Sequence, residues 1–373
     1  ITKAIWGDEM GWVPWQRPGF DLGLQLEKCL ADNPKIRGIV LGSHGLFTWG
    51  DTSLECYVNS LEVIEKASNY IEEKISQNKV VFAGQKVKPL SDNQRQQKAS
   101  ELMPVLRGLC SSENQMVGHF TDDDKVLSFI NSYDLDRLAP MGTSCPDHFL
   151  RTKIQPLIIP LKPDTDATNV DLLKKELSPS FENYRRIYKE YYEACTHPNS
   201  PPMRDPNPVI LLYPGVGMFS FAKNKQTARV AAEFYSNAIN VMRGAEAISS
   251  YTALSRQEAF NIEYWLLEEA KLQRMPKEKV LSRKVALVTG AGGGIGKAIA
   301  NKLLAEGAHV VFSDISLERL QENTAHLNTD QASYVVCDVT QETSIRKALA
   351  HTCSYFGGVD IIVHSAGLAI SKP

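Results

Sequence analysis

At 373 residues the chain exceeds one ordinary core, and roughly 100 to 200 residues per domain gives two or three domains. With 43% apolar and 23% charged residues and a net charge of -2, the composition is that of a soluble globular protein, so small-molecule substrates are expected, no nucleic acid and no membrane. Seven cysteines without a CxxC pair, and no apolar run of about 18 residues, exclude a disulfide framework and a membrane helix and point to a cytoplasmic protein.

In chain order, Ile39, Val40 and Leu41 read as a short strand, Gly42 to Gly45 as a polar turn, and the stretch beyond as a long helix. Thr52 and Glu55 stand at capping-box spacing, and Leu54, Val58, Leu61, Ser68, Ile71 and Ile75 continue a single helical face over several turns. His44 lies in the Gly-flanked turn, where the residues alone leave it as a turn histidine or a metal ligand. Trp12, Trp15 and Trp49 are read as packing residues.

A basic, Gly-containing connector near 84–89 leads into a middle region, 90–280, broken by Pro198, Pro201, Pro202, Pro206 and Pro208, which mark a loop. Past that loop, at an offset of 216 - 44 = 172, Val216-Gly-Met-Phe-Ser-Phe aligns with His44-Gly-Leu-Phe-Thr-Trp, each ahead of a helical pattern. A degenerate internal repeat is the reading, with a chance likeness of two strand-turn-helix units as the alternative. In a true repeat Val216 cannot ligate a metal. His119, His148 and His197 read as ordinary polar residues, and 147–153 as a solvated loop.

From Lys284 onward, strands and helices alternate as in a parallel α/β sheet. Val285 to Val288 form a continuous apolar run suited to a strand covered on both faces, and Ile295, Ile299 and Leu303 recur at helical spacing. Between them, Thr289-Gly-Ala-Gly-Gly-Gly-Ile-Gly296 offers a turn where backbone and helix N-terminus approach a pyrophosphate. Its spacing is T-G-x-x-x-G-x-G, carried by Thr289, Gly290, Gly294 and Gly296.

That variant resembles the short-chain dehydrogenase/reductase family. The resemblance implies cofactor contacts at Gly290, Gly294, Ile295 and Gly296. Asp314, 18 residues after Gly296, would take both ribose hydroxyls and select NAD over NADP, with Arg319 a solvated charge. Asp338 and Val339 follow the third strand, where the family contacts adenine. His364-Ser365-Ala366-Gly367 ends the fourth, keeping Ala366 and Gly367 of the family's Asn-Asn-Ala-Gly. The family's Ser and Tyr-x-x-x-Lys set falls beyond Pro373, so no catalytic residue is assigned. Without further strands, Asp360 to His364 are expected to be an exposed apolar edge, and 283–373 alone to be marginal.

Arg37-Gly-Ile-Val-Leu-Gly-Ser-His44-Gly-Leu-Phe-Thr-Trp-Gly50 and Trp12-Val-Pro-Trp-Gln-Arg-Pro-Gly19 resemble the class II aldolase/adducin family, and its branch in which a rhamnulose-phosphate aldolase is fused to a dehydrogenase. The resemblance makes His44 a zinc ligand and implies a homo-oligomer. The family's His-x-His ligand pair and its Glu are not found in the chain. The fold class is thus α/β: a partial class II aldolase-like domain over 1–89, a second degenerate aldolase-like region over 90–280, and the first half of a Rossmann doubly wound parallel sheet over 283–373. The implied activities are retro-aldol cleavage of rhamnulose 1-phosphate to dihydroxyacetone phosphate and lactaldehyde, and NAD-dependent oxidoreduction of lactaldehyde. The alternatives are a dehydrogenase with a non-catalytic aldolase-like scaffold and an adducin-like interaction module.

Overall fold

The computed structural model describes residues 1–77, 80–327 and 329–367, apart from the side chain of Asp147. In the first unit, α1 (Thr2–Trp6), β1 (Met10–Val13), α2 (Phe20–Asp32), β2 (Gly38–Leu41), β3 (Gly45–Thr48) and α3 (Ser53–Gln77) surround a three-stranded sheet of order β1-β2-β3. β1 runs parallel to β2, as a crossover through α2 requires, and β3 returns antiparallel. Val13, Leu22, Ile36, Ile39 and Leu41 form its core.

Glu55 N donates to Thr52 Oγ1 at 3.1 Å, while the Glu55 carboxylate accepts from Asp51 N at 2.8 Å, so the cap reaches one residue further back than a standard capping box. The single face read along α3 is largely uncovered. Leu54, Val58 and Leu61 are 71%, 41% and 48% exposed, and Val63 is the buried residue, against Trp6 and Met10. Helical periodicity marks an apolar stripe but not what covers it. Trp12, read as packing, is likewise exposed, whereas Trp49 joins the core of its sheet.

The second unit runs α4 (Asp92–Cys110), β4 (Val117–Thr121), α5 (Asp124–Ile130), α6 (Leu135–Leu138), α7 (Pro146–Thr152), β5 (Leu157–Ile158), α8 (Val170–Cys195), β6 (Ile210–Tyr213), β7 (Gly217–Ala222), α9 (Lys225–Ile248), α10 (Arg256–Glu263) and α11 (Leu266–Gln273). Its sheet order is β4-β7-β6-β5. Shifted by 172, β2 falls on β6, the start of β3 on that of β7 and the start of α3 on that of α9. The hairpin registers coincide as well, Leu41 with Gly45 as Tyr213 with Gly217. Each hairpin has a parallel neighbour reached through a helix, β1 in one unit and β5 in the other. The two long helices, α3 and α9, pack on each other.

One expectation for this unit fails. Residues 147–153 are not a solvated loop: they lie largely in α7, packed against α9, with His148 and Lys153 buried. Burial pushes the Lys153 ammonium down to about 8, and it lies 4.1 Å over the Tyr188 ring. His119 is half-buried, and burial holds its pKa down at about 3.

The third unit comprises β8 (Val285–Thr289), α12 (Gly294–Ala305), β9 (His309–Asp314), α13 (Leu317–Thr324), β10 (Ala332–Val336), α14 (Glu342–Phe356) and β11 (Ile361–His364). All its strands are parallel, in the order β10-β9-β8-β11. Ala286 and Val288 of β8 join the core under α12 and α13, and Val285 and Leu287 point the other way. On that second face they meet Phe356 and also Val117 of β4, so one apolar cluster spans the second and third units. β11 pairs only with β8 among the described residues, and Ile362 is 50% exposed.

Polar contacts lock this junction. The buried Arg107 guanidinium grips Asp360 with two parallel bonds of 3.0 and 2.7 Å and also donates to the carbonyls of Met116 and Arg283. Lys225 Nζ donates to the carbonyls of Tyr355 and Gly118 and sits 2.9 Å from His119 Nδ1. Lys225 N donates to His309 Nε2 at 3.0 Å, which requires a neutral ring, and burial lowers the His309 pKa to about 4.

Candidate functional site

The order of the third sheet reverses between β8 and β11, and in open α/β sheets ligands bind at such a point, in the crevice outside the carboxyl ends of the strands. Gly290, with φ of +68°, turns the chain out of β8, and a Cβ there would lie 2.7 Å from Ala366 N. A side chain is therefore excluded by conformation and by space. At Gly296 a Cβ would meet Gly290 O at 2.3 Å, so α12 can approach the strand end only with glycine. Gly294 differs: a Cβ there would meet nothing within 4 Å and would project into open space at the N-terminus of α12. The first N–H groups of a helix lack intrahelical partners, which makes this opening a cradle for an anion.

Asp314 closes one side of the cradle. Its Oδ2 accepts from Gly292 N at 3.0 Å and its Oδ1 from Ser316 N at 3.0 Å, which fixes the carboxylate beside the turn. Ile295, at helical spacing with Ile299 and Leu303, is 76% exposed beside the turn. Val339 is 41% exposed, at the end of β10. The Asp338 carboxylate is engaged by Thr340 N and Oγ1, at 2.9 and 2.7 Å, and those bonds hold its pKa below the usual range. Ala366 and Gly367 follow β11 across from Gly290, exposed.

Two residues brace the turn, of which Asn323 escaped the sequence reading and Thr289 was read only as part of the motif. Buried Asn323 of α13 donates to the carbonyls of Ala291 and Gly292 at 3.0 and 3.3 Å. Thr289 Oγ1 donates to Val363 O and accepts from Ser365 N, tying β8 to the chain leaving β11. A carboxamide 31 residues from its acceptor carries no local signal, although Thr289 stood in the motif.

The second candidate is the histidine turn between β2 and β3. Ser43 adopts φ of +55°, a strained value for a residue with a side chain, immediately before His44. His44 Nδ1 is buried without a hydrogen-bond partner. The His44 ring stands edge-on to Trp15 at 6.0 Å, and Trp15 Nε1 donates to Glu258 Oε2 of α10 at 2.9 Å. The described residues contain no group of three or more His, Cys, Asp or Glu side chains able to hold a metal. A divalent ion needs about three protein ligands, so zinc does not fit the residues present, and only His44 is placed to contribute. Val216, the repeat counterpart of His44, is fully buried in the core.

Comparisons with known proteins match each unit. Residues 1–71 match the family described as Class II Aldolase and Adducin N-terminal domain, 97–272 that described as Aldolase class II, second domain, and 284–373 short chain dehydrogenase. The chain is 36% identical over 379 residues to the "Uncharacterized oxidoreductase YuxG" of Bacillus subtilis (strain 168), covering 100% of this chain and 54% of that protein. It is 44% identical over 93 residues to an uncharacterized oxidoreductase of Staphylococcus aureus (strain USA300), covering 25% of this chain and 40% of the other. A short-chain dehydrogenase/reductase structure from Brucella melitensis is 34% identical, covers 26% of this chain and 41% of its own, and has a TM-score of 0.25, which adds nothing to the fold. The chain thus spans about half the length of the first of these relatives. Class II aldolases in general work with a divalent metal and short-chain dehydrogenases with NAD or NADP. No helix among the described residues is long and apolar enough to cross a membrane.

Proposed function

We propose that this chain, with class II aldolase units ahead of a short-chain dehydrogenase unit, belongs to a two-function enzyme that breaks a phosphorylated ketose and passes the aldehyde to an NAD-dependent oxidoreductase. The observation that carries the reading is the cradle at Gly294 beside the fixed carboxylate of Asp314. Gly290 and Gly296 let the backbone come close, the first N–H groups of α12 would hold the pyrophosphate, and Asp314 would accept from the ribose hydroxyls and repel a 2′-phosphate. Exposed Ile295 and Val339 would flank the nucleotide. NAD, when bound there, supplies the hydride acceptor or donor.

The finer assignment follows from the resemblance to the fused rhamnulose-phosphate aldolase branch. The ketose is rhamnulose 1-phosphate, the products are dihydroxyacetone phosphate and lactaldehyde, and lactaldehyde is the dehydrogenase substrate. Zinc is the proposed aldolase metal, with His44 as one ligand. No step is drawn through zinc, because the other ligands are not among these residues. A cytoplasmic homo-oligomer is proposed with it. The same shortage of ligands favours one other reading, a dehydrogenase on an aldolase-like scaffold.

In protein extended through the rest of the dehydrogenase, Asp314→Ala is expected to weaken NAD binding roughly 10- to 100-fold, the loss of one or more hydrogen bonds to a charged acceptor, and NADP binding less. Equal losses for both cofactors would remove the role given to Asp314. For the aldolase half, stoichiometric zinc in the longer protein, lost in His44→Ala, supports the lyase, and a metal-free wild type supports the scaffold.

A further inference from the structure

The second aldolase-like unit needs a task, since the counterpart of His44 in it is a buried valine. Its α10 begins at a Ser255 cap and turns Glu258 toward the first unit. The Glu258 carboxylate is held from two sides, Oε2 accepting from Trp15 Nε1 at 2.9 Å and Oε1 from Asn261 Nδ2 at 3.3 Å. Trp15 packs there against the cluster of Phe149, Ala259 and Ile262, all from the second unit. On its other side Trp15 forms the wall of the histidine turn. Its ring stands edge-on to His44 at 6.0 Å, and its backbone nitrogen would lie 3.2 Å from a Cβ placed on Gly42. Trp15 therefore belongs to the first unit by chain and to the second by packing.

We propose that the second unit braces the histidine turn of the first, with Glu258 as the positioning residue acting through Trp15. The inference rests on reading His44 as a ligand-facing histidine, and it gives that reading a support from a separate unit. The bond spans 243 residues of chain, so it is made only when both units are folded and docked. Glu258 touches no reacting atom. It fixes the indole, and the indole limits the excursions of the His44 ring.

The test uses the 373-residue chain without metal or substrate. The acylation rate of His44 by diethyl pyrocarbonate is read by peptide mass spectrometry, with exposed His326 as the internal reference. Glu258→Ala is expected to raise the His44 rate roughly 2- to 10-fold, the opening expected from loss of one net hydrogen bond. Glu258→Gln, which keeps an acceptor for the indole, is expected to restore it. Trp15→Phe, which keeps an aromatic wall but no donor, should match Glu258→Ala, and the pair should give no further increase. An unchanged His44 rate in both Glu258→Ala and Trp15→Phe overturns the brace. So does a rise that Glu258→Gln fails to reverse, or a doubled rise in the pair. Because no metal enters this measurement, its failure is distinct from a failure of the zinc assignment.

Discussion

Arg107→Met tests the junction between the second and third units. The side chains of Arg107 and Asp360 are 8% and 13% exposed, and the guanidinium also serves the carbonyls of Met116 and Arg283. Methionine fills a similar volume but leaves Asp360 with only the bond from Val285 N, at 2.8 Å. Breaking a buried pair from one side costs about 3–5 kcal/mol, because a desolvated charge is left without its partner. With a urea m-value of about 3 kcal/mol/M, the transition that reports the third unit should fall by roughly 1 to 2 M. Adding Asp360→Leu removes the stranded charge; the carbonyls of Met116 and Arg283 lack the Arg107 donor in both variants, and Val285 N is the group newly left unsatisfied, at a cost of about 1–3 kcal/mol. The double variant should therefore be more stable than the single. Urea unfolding followed by circular dichroism, with proteolysis of the 274–284 connector as a local probe, makes the comparison. A loss below about 1 kcal/mol in Arg107→Met, or a double variant weaker than the single, would refute the claim that this pair holds the units together.

Three further outcomes are expected. Burial lowers the Lys225 pKa from 10.5 to about 7, so between pH 7 and 9 the unfolded chain binds the proton that the folded one releases, and stability should rise with pH by up to about 1.4 kcal/mol per unit. Lys225→Met should flatten that part of the slope in unfolding titrations, and an unchanged slope would return the ammonium to its charged state. Gly294→Ala should leave the melting temperature of the chain unaltered and cut nucleotide affinity in the extended protein, whereas Gly296→Ala, with its 2.3 Å clash, should lower both; equal behaviour of the two would contradict the cradle. Asn323→Ala should cost about 1–3 kcal/mol and speed amide exchange in the 290–293 turn, and a silent variant would show that the turn holds its shape unaided.

What could be read from the sequence was local. The run from Val285 to Val288 declared a strand buried on both faces, and the glycine spacing with Asp314 located the crevice, because strand, turn and helix are contiguous there. The hairpin repeat was legible for the same reason, since turn chemistry and register depend on neighbouring residues. The remainder depends on contacts between distant segments. Nothing near Lys153 or His148 announces burial, because polar side chains are buried by what other helices bring over them. The stripe of α3 was legible as a stripe, but its periodicity does not tell what covers it, and most of it is exposed. Asn323 and Glu258 act on partners 31 and 243 residues away, and no periodicity encodes such pairs.

The cluster in which Val117 of β4 sits with Val285, Leu287, Val311 and Phe356 bears on how such fusions can be taken apart. A dehydrogenase unit lifted out at the connector would leave part of its own floor behind in the aldolase-like unit. A transplanted replacement would fit only if its α14 and its second sheet face had been shaped to the same platform. Recombination between fused and freestanding versions is therefore constrained less by the linker than by β4, and an engineer exchanging the oxidoreductase would have to carry β4 and Arg107 across with it.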